Sequence, residues 1–455
     1  MKRPNVLFVF ADQWRAQATG YSGNAQVKTP NLDALASRSI NLTNAVSGVP
    51  VCTPYRACFL TGQYPHIHGL FLNDAHLRPN GNSIAQAFAA VGYDTAYIGK
   101  WHVNGQGRSK PIDKESRLGF DYWKVLECTH DYHNSRYYEG DSTEPQTWDG
   151  YDAEAQTRDA IEYIRDRDGE RPFFLALSWG PPHDPYQTAP ERFRRMYDSD
   201  EIRLRPNVPP ESAAAARVDL AGYYAHCTAL DEYVGWLVEA LEEQGISDDT
   251  LLVVTSDHGD MLGSHGVNRK QKPWDESIRV PFLIRCPSLL GHDGRARDDL
   301  FVDSPDIMPT LLGLCGIDIP VTVEGTDFSA ALRHGTSSAD PCAVLASYHP
   351  FGEWARNKPG GVYGYTGREY RGVRTPRYTY VETLDGAWLL YDNEVDPYQL
   401  TNLIEHPSYR DARIGLQRHL HQRLTERGDS FETGEHYLRE FGHSVDETGT
   451  IPYET

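Results

Sequence analysis

Cysteine is scarce in this chain of 455 residues: there are seven, at positions 52, 58, 128, 227, 286, 315 and 342. An odd number without repeated spacing argues against a disulfide-framed scaffold and suits a reducing compartment. Long apolar runs are missing too. Asn5-Val6-Leu7-Phe8-Val9-Phe10 is too short to cross a membrane, and Met1-Lys2-Arg3-Pro4 leads into it without the pattern of a signal peptide. The expectation is a cytoplasmic protein with no membrane partner. Positive charge is in deficit: Lys plus Arg is 44 against 64 for Asp plus Glu, a formal net charge of −20. Such a field repels nucleic acid and anionic lipid, so neither is an expected partner. Any anion that binds must meet a local cluster of cations, or a metal, strong enough to overcome the whole molecule. Low-complexity tracts and internal repeats are also absent, and 39% hydrophobic residues leave an ordinary globular core.

What is present alternates. Residues 5–11 read as a buried strand ending at Asp12. Thr29-Pro30 starts a helix through Ala36, by the preference of proline for the first helical position. Short apolar runs at 95–98, 173–179, 251–255 and 280–285 predict further strands. Residues 152–167 predict a helix. Leu230, Val234, Leu237 and Leu241 share a face of another, which Gly245 ends. Strands alternating with helices predict an α/β fold, a large mostly parallel sheet sandwiched by helices. Ligands collect beyond the carboxyl ends of such strands. Asp12, His183 and Asp257-His258 each follow a predicted strand, so they can converge. After residue 340 the texture changes to short strand-like pieces at 371–374, 378–382 and 387–391, a helix near 408–426 and a polar tail. The division expected is 1–340 for the catalytic part and 341–455 for a smaller α+β domain with an antiparallel sheet that contributes to the pocket.

One stretch carries chemistry: Val49-Pro50-Val51-Cys52-Thr53-Pro54-Tyr55-Arg56-Ala57-Cys58-Phe59-Leu60-Thr61-Gly62. Pro54 can start a helix, a helix N-terminus stabilises anions, and Arg56 lies one turn on. Alone, the pattern reads equally well as a buried cysteine beside a helix cap. With Thr-Gly following, it resembles the signature of the type I sulfatases of the alkaline phosphatase superfamily. Other segments match that family in order: Ala11-Asp12-Gln13, Gly99-Lys100-Trp101-His102, Pro181-Pro182-His183-Asp184-Pro185, Ser256-Asp257-His258-Gly259, Lys270 ahead of Arg279-Val280-Pro281, and Tyr391-Asp392-Asn393-Glu394-Val395-Asp396-Pro397-Tyr398. The resemblance spans roughly residues 4–403.

It implies a sulfuric ester hydrolase. Cys52 would be oxidised to formylglycine by a separate maturation enzyme, and the hydrate would supply the nucleophile, steadied by Arg56. Asp12, Gln13, Asp257 and His258, with Cys52 beside them, would hold one divalent cation. Lys100, Lys270 and Arg56 would neutralise the sulfate, His183 or Lys270 would protonate the leaving alcohol, and His102 would act in sulfate release. Many family members carry two acids at the first motif and Asp-Asn at the second. Asp12-Gln13 and Asp257-His258 are instead similar to choline-sulfatase-like and phosphonate-monoester-hydrolase-like members. Oxygen ligands suit calcium and an imidazole suits manganese or zinc; calcium is the first expectation and manganese the alternative.

The rivals are a phosphonate or phosphate diester hydrolase with the same nucleophile, a choline-sulfatase-like enzyme, a binding protein for sulfated sugars, and a phosphopentomutase-like isomerase. The last is disfavoured because its nucleophile is normally Thr or Ser. The substrate expected is a small sulfated carbohydrate. Candidate substrate residues are Asn73 and, from the aromatic and arginine-rich stretch 348–370, Tyr348, His349, Arg356 and Arg368. His130, Asp131, His133 and Asn134 form a second candidate rim, with plain surface polarity as the leading alternative. Assembly into a homo-oligomer is left open.

Overall fold

The computed structural model describes residues 3–335, 337, 339–355 and 367–453. Its centre is the apolar run Asn5–Asp12, β1, buried on both faces from Val6 onward. The strands that follow are β2 (Ile40–Ala45), β3 (Asp94–Lys100), β4 (Tyr122–Leu126), β5 (Arg136–Glu139), β6 (Gln146–Thr147), β7 (Phe173–Pro182), β8 (Thr250–Ser256), β9 (Phe282–Arg285) and β10 (Arg295–Val302). They form one sheet in the order β10-β2-β9-β8-β1-β7-β3-β4-β5-β6. From β8 through β4 every pairing is parallel, while β9 runs antiparallel to both neighbours. The expected strand at 280–285 therefore exists, but as an antiparallel insertion.

Helices cover both faces, as a sheet buried on both sides requires. One face packs Phe8 and Phe10 against the helix Cys52–Thr61, with Phe8 and Phe59 stacked at 4.4 Å. The other packs Leu7, Val9 and Leu175 against the 31-residue helix Ala213–Glu243 and the helix Asp152–Arg165. Gly99 shows how tightly β3 meets β7. Its φ is +103°, and a Cβ there would sit 2.1 Å from the Ser178 carbonyl oxygen.

A second sheet of four antiparallel strands lies in the C-terminal region: β11 (Ala343–Ser347), β12 (Tyr370–Arg374), β13 (Tyr378–Thr383) and β14 (Gly386–Asp392). Three of these were expected; β11 was not. The helix Arg410–Arg427 covers the sheet through Leu416, Leu420 and Leu424. The supposed polar tail is structured as well, with a helix at Gly434–Phe441 and a segment that returns toward the large sheet. Trp274 joins the two sheets. It packs with Val381, Leu389 and Tyr391, and beside it the Arg374 fork grips Asp275 at 2.9 and 3.1 Å. Among the described residues no helix is long and apolar enough to cross a membrane.

Candidate active site

Four neighbouring parallel strands, β8, β1, β7 and β3, end side by side. Asp257 and His258 follow β8, Asp12 closes β1 ahead of Gln13, His183 follows β7, and Lys100 closes β3 just before His102. The chain must turn sharply at these ends: Gln13 and His102 both hold positive φ, +74° and +57°. The Gln13 turn is held by its backbone N–H, which donates to Asp257 Oδ1 at 3.0 Å.

The helix Cys52–Thr61 brings its first residue to the same place. Lys270 Nζ donates to Cys52 Sγ at 3.1 Å; His258 Nε2 and Asp12 Oδ1 lie 3.2 and 3.5 Å from the same sulfur. Thr53 fixes the helix start: its backbone N–H donates to Asn73 Oδ1 and its hydroxyl to the His102 carbonyl. Arg56, one turn on, donates to the Lys100 carbonyl and Ser178 Oγ, and reaches Asp257 Oδ2 at 3.2 Å and Asp12 Oδ2 at 3.4 Å. Lys100 Nζ donates to Asp12 Oδ2 at 2.6 Å.

Three cations thus surround two carboxylates in a dry setting, a local positive excess inside an acidic molecule. Burial opposes ionisation of Asp12, but Lys100 and Lys270 outweigh it and hold the carboxyl well below its ordinary value. Burial would likewise strip the proton from Lys100, yet Asp12 keeps it bound. His183 is the opposite case. Burial, with Lys270 beside it, pushes its pKa well below the ordinary value, so the ring is neutral at pH 7. Lys270 Nζ contacts His183 Nε2 at 2.8 Å while His183 Nδ1 faces the Asp184 carbonyl at 2.9 Å. These partners assign the His183 proton to Nδ1 and the shared proton to Lys270.

A divalent cation fits here. His258 Nδ1 lies 2.9 Å from the Gly259 carbonyl, which leaves Nε2 facing inward. That nitrogen stands 3.5 Å from both Asp12 Oδ1 and Asp257 Oδ1. Donor atoms of Asp12, Cys52, Asp257 and His258 all lie within 4.8 Å of one another, and all four residues are buried. Two carboxylates, an imidazole and a sulfur gathered in one buried spot are a donor set that suits a divalent cation. Gln13 lies at the margin: Lys270 donates to its Oε1 at 3.1 Å, and its Nε2 donates to Asp260 Oδ2 at 2.7 Å.

A cavity of about 270 Å³ opens over Cys52. Asn73, Lys100, His102, His183 and Lys270 line it, as the sequence led one to expect, and so does His130, whose ring stacks on His183 at 4.5 Å. Three other candidates sit elsewhere. Tyr348 is buried with its hydroxyl on Asp429 and its ring on Arg371. His349 packs against Gly434 and Gly449. Arg368 lies over Trp388, 5.6 Å from the ring centroid. Arg356 lies outside the described residues. Asp131, His133 and Asn134 form a local exposed turn, with Asn134 bonded to Asp131 and His133 to the Thr188 carbonyl. The lining also includes Arg108, Arg269, Lys272, Glu353, Thr450 and Tyr453, which sequence reasoning missed. Arg269 adjoins Lys270 and could have been found; Tyr453, on the tail, carried no signal.

The sulfatase family pattern matches residues 4–317, and the pattern for the C-terminal part of N-sulphoglucosamine sulphohydrolase matches 263–428. The chain is 42% identical over 455 residues to the ulvan-active sulfatase of Formosa agariphila, covering 99% of this chain and 87% of that protein. It is 32% identical over 458 residues to the endo-4-O-sulfatase of Bacteroides thetaiotaomicron, with 88% of each covered. A solved B. thetaiotaomicron structure, from work on the metabolism of multiple glycosaminoglycans, superposes with a TM-score of 0.84 at 30% identity, covering 99% of this chain and 100% of that one.

Proposed function

Since the chain belongs to the sulfatase family and is a sulfuric ester hydrolase, we propose that it desulfates a small carbohydrate, using formylglycine made from Cys52 and one divalent cation. The observation that carries this is the cation excess around Cys52 at the floor of an open cavity. The name of the ulvan-active relative supports a carbohydrate substrate, and so does the origin of the superposed structure in work on glycosaminoglycan metabolism. Asp12, Asp257 and His258, with Gln13 at the margin and Cys52 beside them, would hold the cation, calcium first and manganese as the alternative. Bound there, it would supply a Lewis acid for the sulfate oxygens. Formylglycine would supply a hydrated aldehyde, whose hydroxyl is the nucleophile.

The chain's own groups then divide the work. Lys100, Lys270 and Arg56 bind the sulfate oxygens, where negative charge concentrates in the transition state. Asp257 is the acceptor for the nucleophile's proton. Lys270, which holds the proton it shares with His183, donates to the leaving alcohol, so His183 orients the acid instead of being it. His102 accepts the proton whose loss releases sulfate. The C-terminal part, 341–455, supplies one wall of the cavity through Phe351, Glu353, Thr450 and Tyr453.

The test uses enzyme produced with a formylglycine-generating partner and confirmed as aldehyde at position 52 by peptide mass. A panel of sulfated mono- and disaccharides, with matched aryl sulfate and aryl phosphonate esters, should show desulfation of at least one sugar and faster turnover of the aryl sulfate. Faster turnover of the phosphonate would overturn the substrate assignment. A matured enzyme without any sulfate-ester turnover would overturn the assignment of the site.

A further inference from the structure

We propose that the C-terminal segment completes the active site through a relay in which Tyr453 clamps Arg108, Arg108 fixes Asp74, and Asp74 positions His102. This rests on the reading of His102 as a base in that site. The links are short and continuous. Tyr453 lays its ring on the Arg108 guanidinium, 3.5 Å from carbon to centroid. Arg108 grips Asp74 with a two-pronged fork, Nε to Oδ1 at 2.8 Å and NH2 to Oδ2 at 2.7 Å. Asp74 Oδ1 then stands 3.4 Å from His102 Nε2. Neither nitrogen of His102 makes a hydrogen bond among the described residues, so this carboxylate is its nearest orienting charge. Tyr453, Arg108 and His102 all face the same cavity.

The backbone shows that the relay is held under constraint. Asp74 and His102 are both non-glycine residues at positive φ, +62° and +57°, conformations that persist only where surroundings impose them. Gly105, at +61°, lets the loop after His102 press on Asp74: a Cβ there would sit 2.7 Å from the Asp74 carbonyl oxygen. Glu127 Oε1 pins that loop from behind by accepting the N–H groups of Asn104 and Gly105. Arg108 outweighs burial to keep Asp74 ionised. An ionised carboxylate facing Nε2 favours the tautomer with its proton there, which leaves Nδ1 as the free base. A planar guanidinium between a ring and a carboxylate is a rigid strut, where a lysine would be a flexible tether. Tyr453 is the outermost piece, 40% exposed, so it can be altered without entering the core.

Two measurements test the relay, one without turnover. In enzyme labelled with nitrogen-15 at histidine, and assigned with His102→Gln, His102 should be protonated at Nε2, and Asp74→Asn should shift the proton toward Nδ1. An unchanged tautomer in Asp74→Asn overturns the proposal. In the kinetic arm, Tyr453→Ala should lower kcat on a small aryl sulfate roughly 3- to 10-fold with KM within about twofold, and Tyr453→Phe, which keeps the ring, should restore it. Unchanged kcat, or a loss confined to KM for a sulfated sugar, would make Tyr453 a substrate contact and overturn its place in the relay. If matured wild-type enzyme turns over no sulfate ester, the functional reading fails while the histidine spectrum still judges the relay.

Discussion

Two arginines in this molecule are equally buried and both sit among carboxylates, yet they differ in kind. Arg371, on β12, is closed. Its Nε and NH2 fork onto Asp429 at 2.6 and 3.1 Å, NH1 donates to the Ser347 and Tyr370 carbonyls, and NH2 also meets the Tyr437 hydroxyl. The Tyr348, Phe431 and Tyr437 rings wall it in. Arg56 is open. Its bonds to Asp12 and Asp257 are long, its Nε has no partner among the described residues, Lys100 shares Asp12 with it, and Lys270 reaches the neighbouring thiol. One cluster is neutral and saturated; the other has surplus positive charge and a cavity over it. Burial and charge alone do not mark an active site. Surplus charge and unused donors beside open space do, since only there is a ligand needed to complete the set.

The largest effect should come from the centre of the open cluster. On the proposed reading, Cys52→Ala and Cys52→Ser should each cut sulfatase turnover by about 1000-fold or more, because neither could supply the formylglycine nucleophile. Thermal unfolding should move little, since Cys52 Sγ bonds only groups that have other partners. Near-normal turnover in Cys52→Ala would remove the functional half of the contrast.

Next comes the direct exchange between the two arginines. Arg371→Met strands Asp429 in a dry pocket and should cost about 3–5 kcal/mol of stability, with kcat per folded molecule nearly unchanged. Arg56→Met should do the reverse. Lys100 remains on Asp12 and Lys270 remains close to Asp257, so the fold loses less, but on the proposed reading kcat should fall roughly 100- to 1000-fold with one sulfate-neutralising charge gone. Calorimetry and kcat on three proteins, the wild type and the two variants, decide it. Equal stability losses would show that the open cluster is as structural as the closed one.

The open cluster was largely legible in the sequence, because each of its parts is tied to a local pattern. Asp12, Lys100, His183 and Asp257 end or follow short apolar runs, and a parallel sheet gathers such ends on one edge. Cys52 and Arg56 share one helix turn. The closed cluster was not legible: Arg371 and Asp429 lie 58 residues apart and meet only through packing. For that reason Tyr348, which looked like a ring free to stack on a sugar, is part of Arg371's enclosure. Strands whose burial depends on neighbours were missed for the same cause. β11 is a five-residue run with no alternation, and β10 carries Arg295, Arg297, Asp298 and Asp299. The cavity wall from the tail is the extreme case, a tyrosine placed by the rest of the fold.

The smallest expected effect belongs to a residue between the two regions. Lys272 follows the site lysine by two positions and leads into Trp274, which packs on the small sheet. Its Nζ donates to the Asn268 carbonyl and lies over Trp354, with no carboxylate in salt-bridge contact among the described residues. Burial lowers its pKa from the ordinary lysine value to about 7, with Glu353 opposing. The unfolded chain therefore holds this proton up to about pH 10.4, where the folded protein has released it from about pH 7. Between those limits the unfolded state binds more protons, so stability from this group rises with pH and its cost is greatest below pH 7. Lys272→Met keeps the length and removes the charge. It should raise Tm by about 1–3 °C at pH 6 and converge on wild type near pH 10. A variant that is less stable at pH 6 would show Lys272 to be paired as fully as Arg371. An advantage that grows with pH would show that the buried amine stays charged, and the cavity floor would then carry one more cation for the substrate than the open cluster supplies.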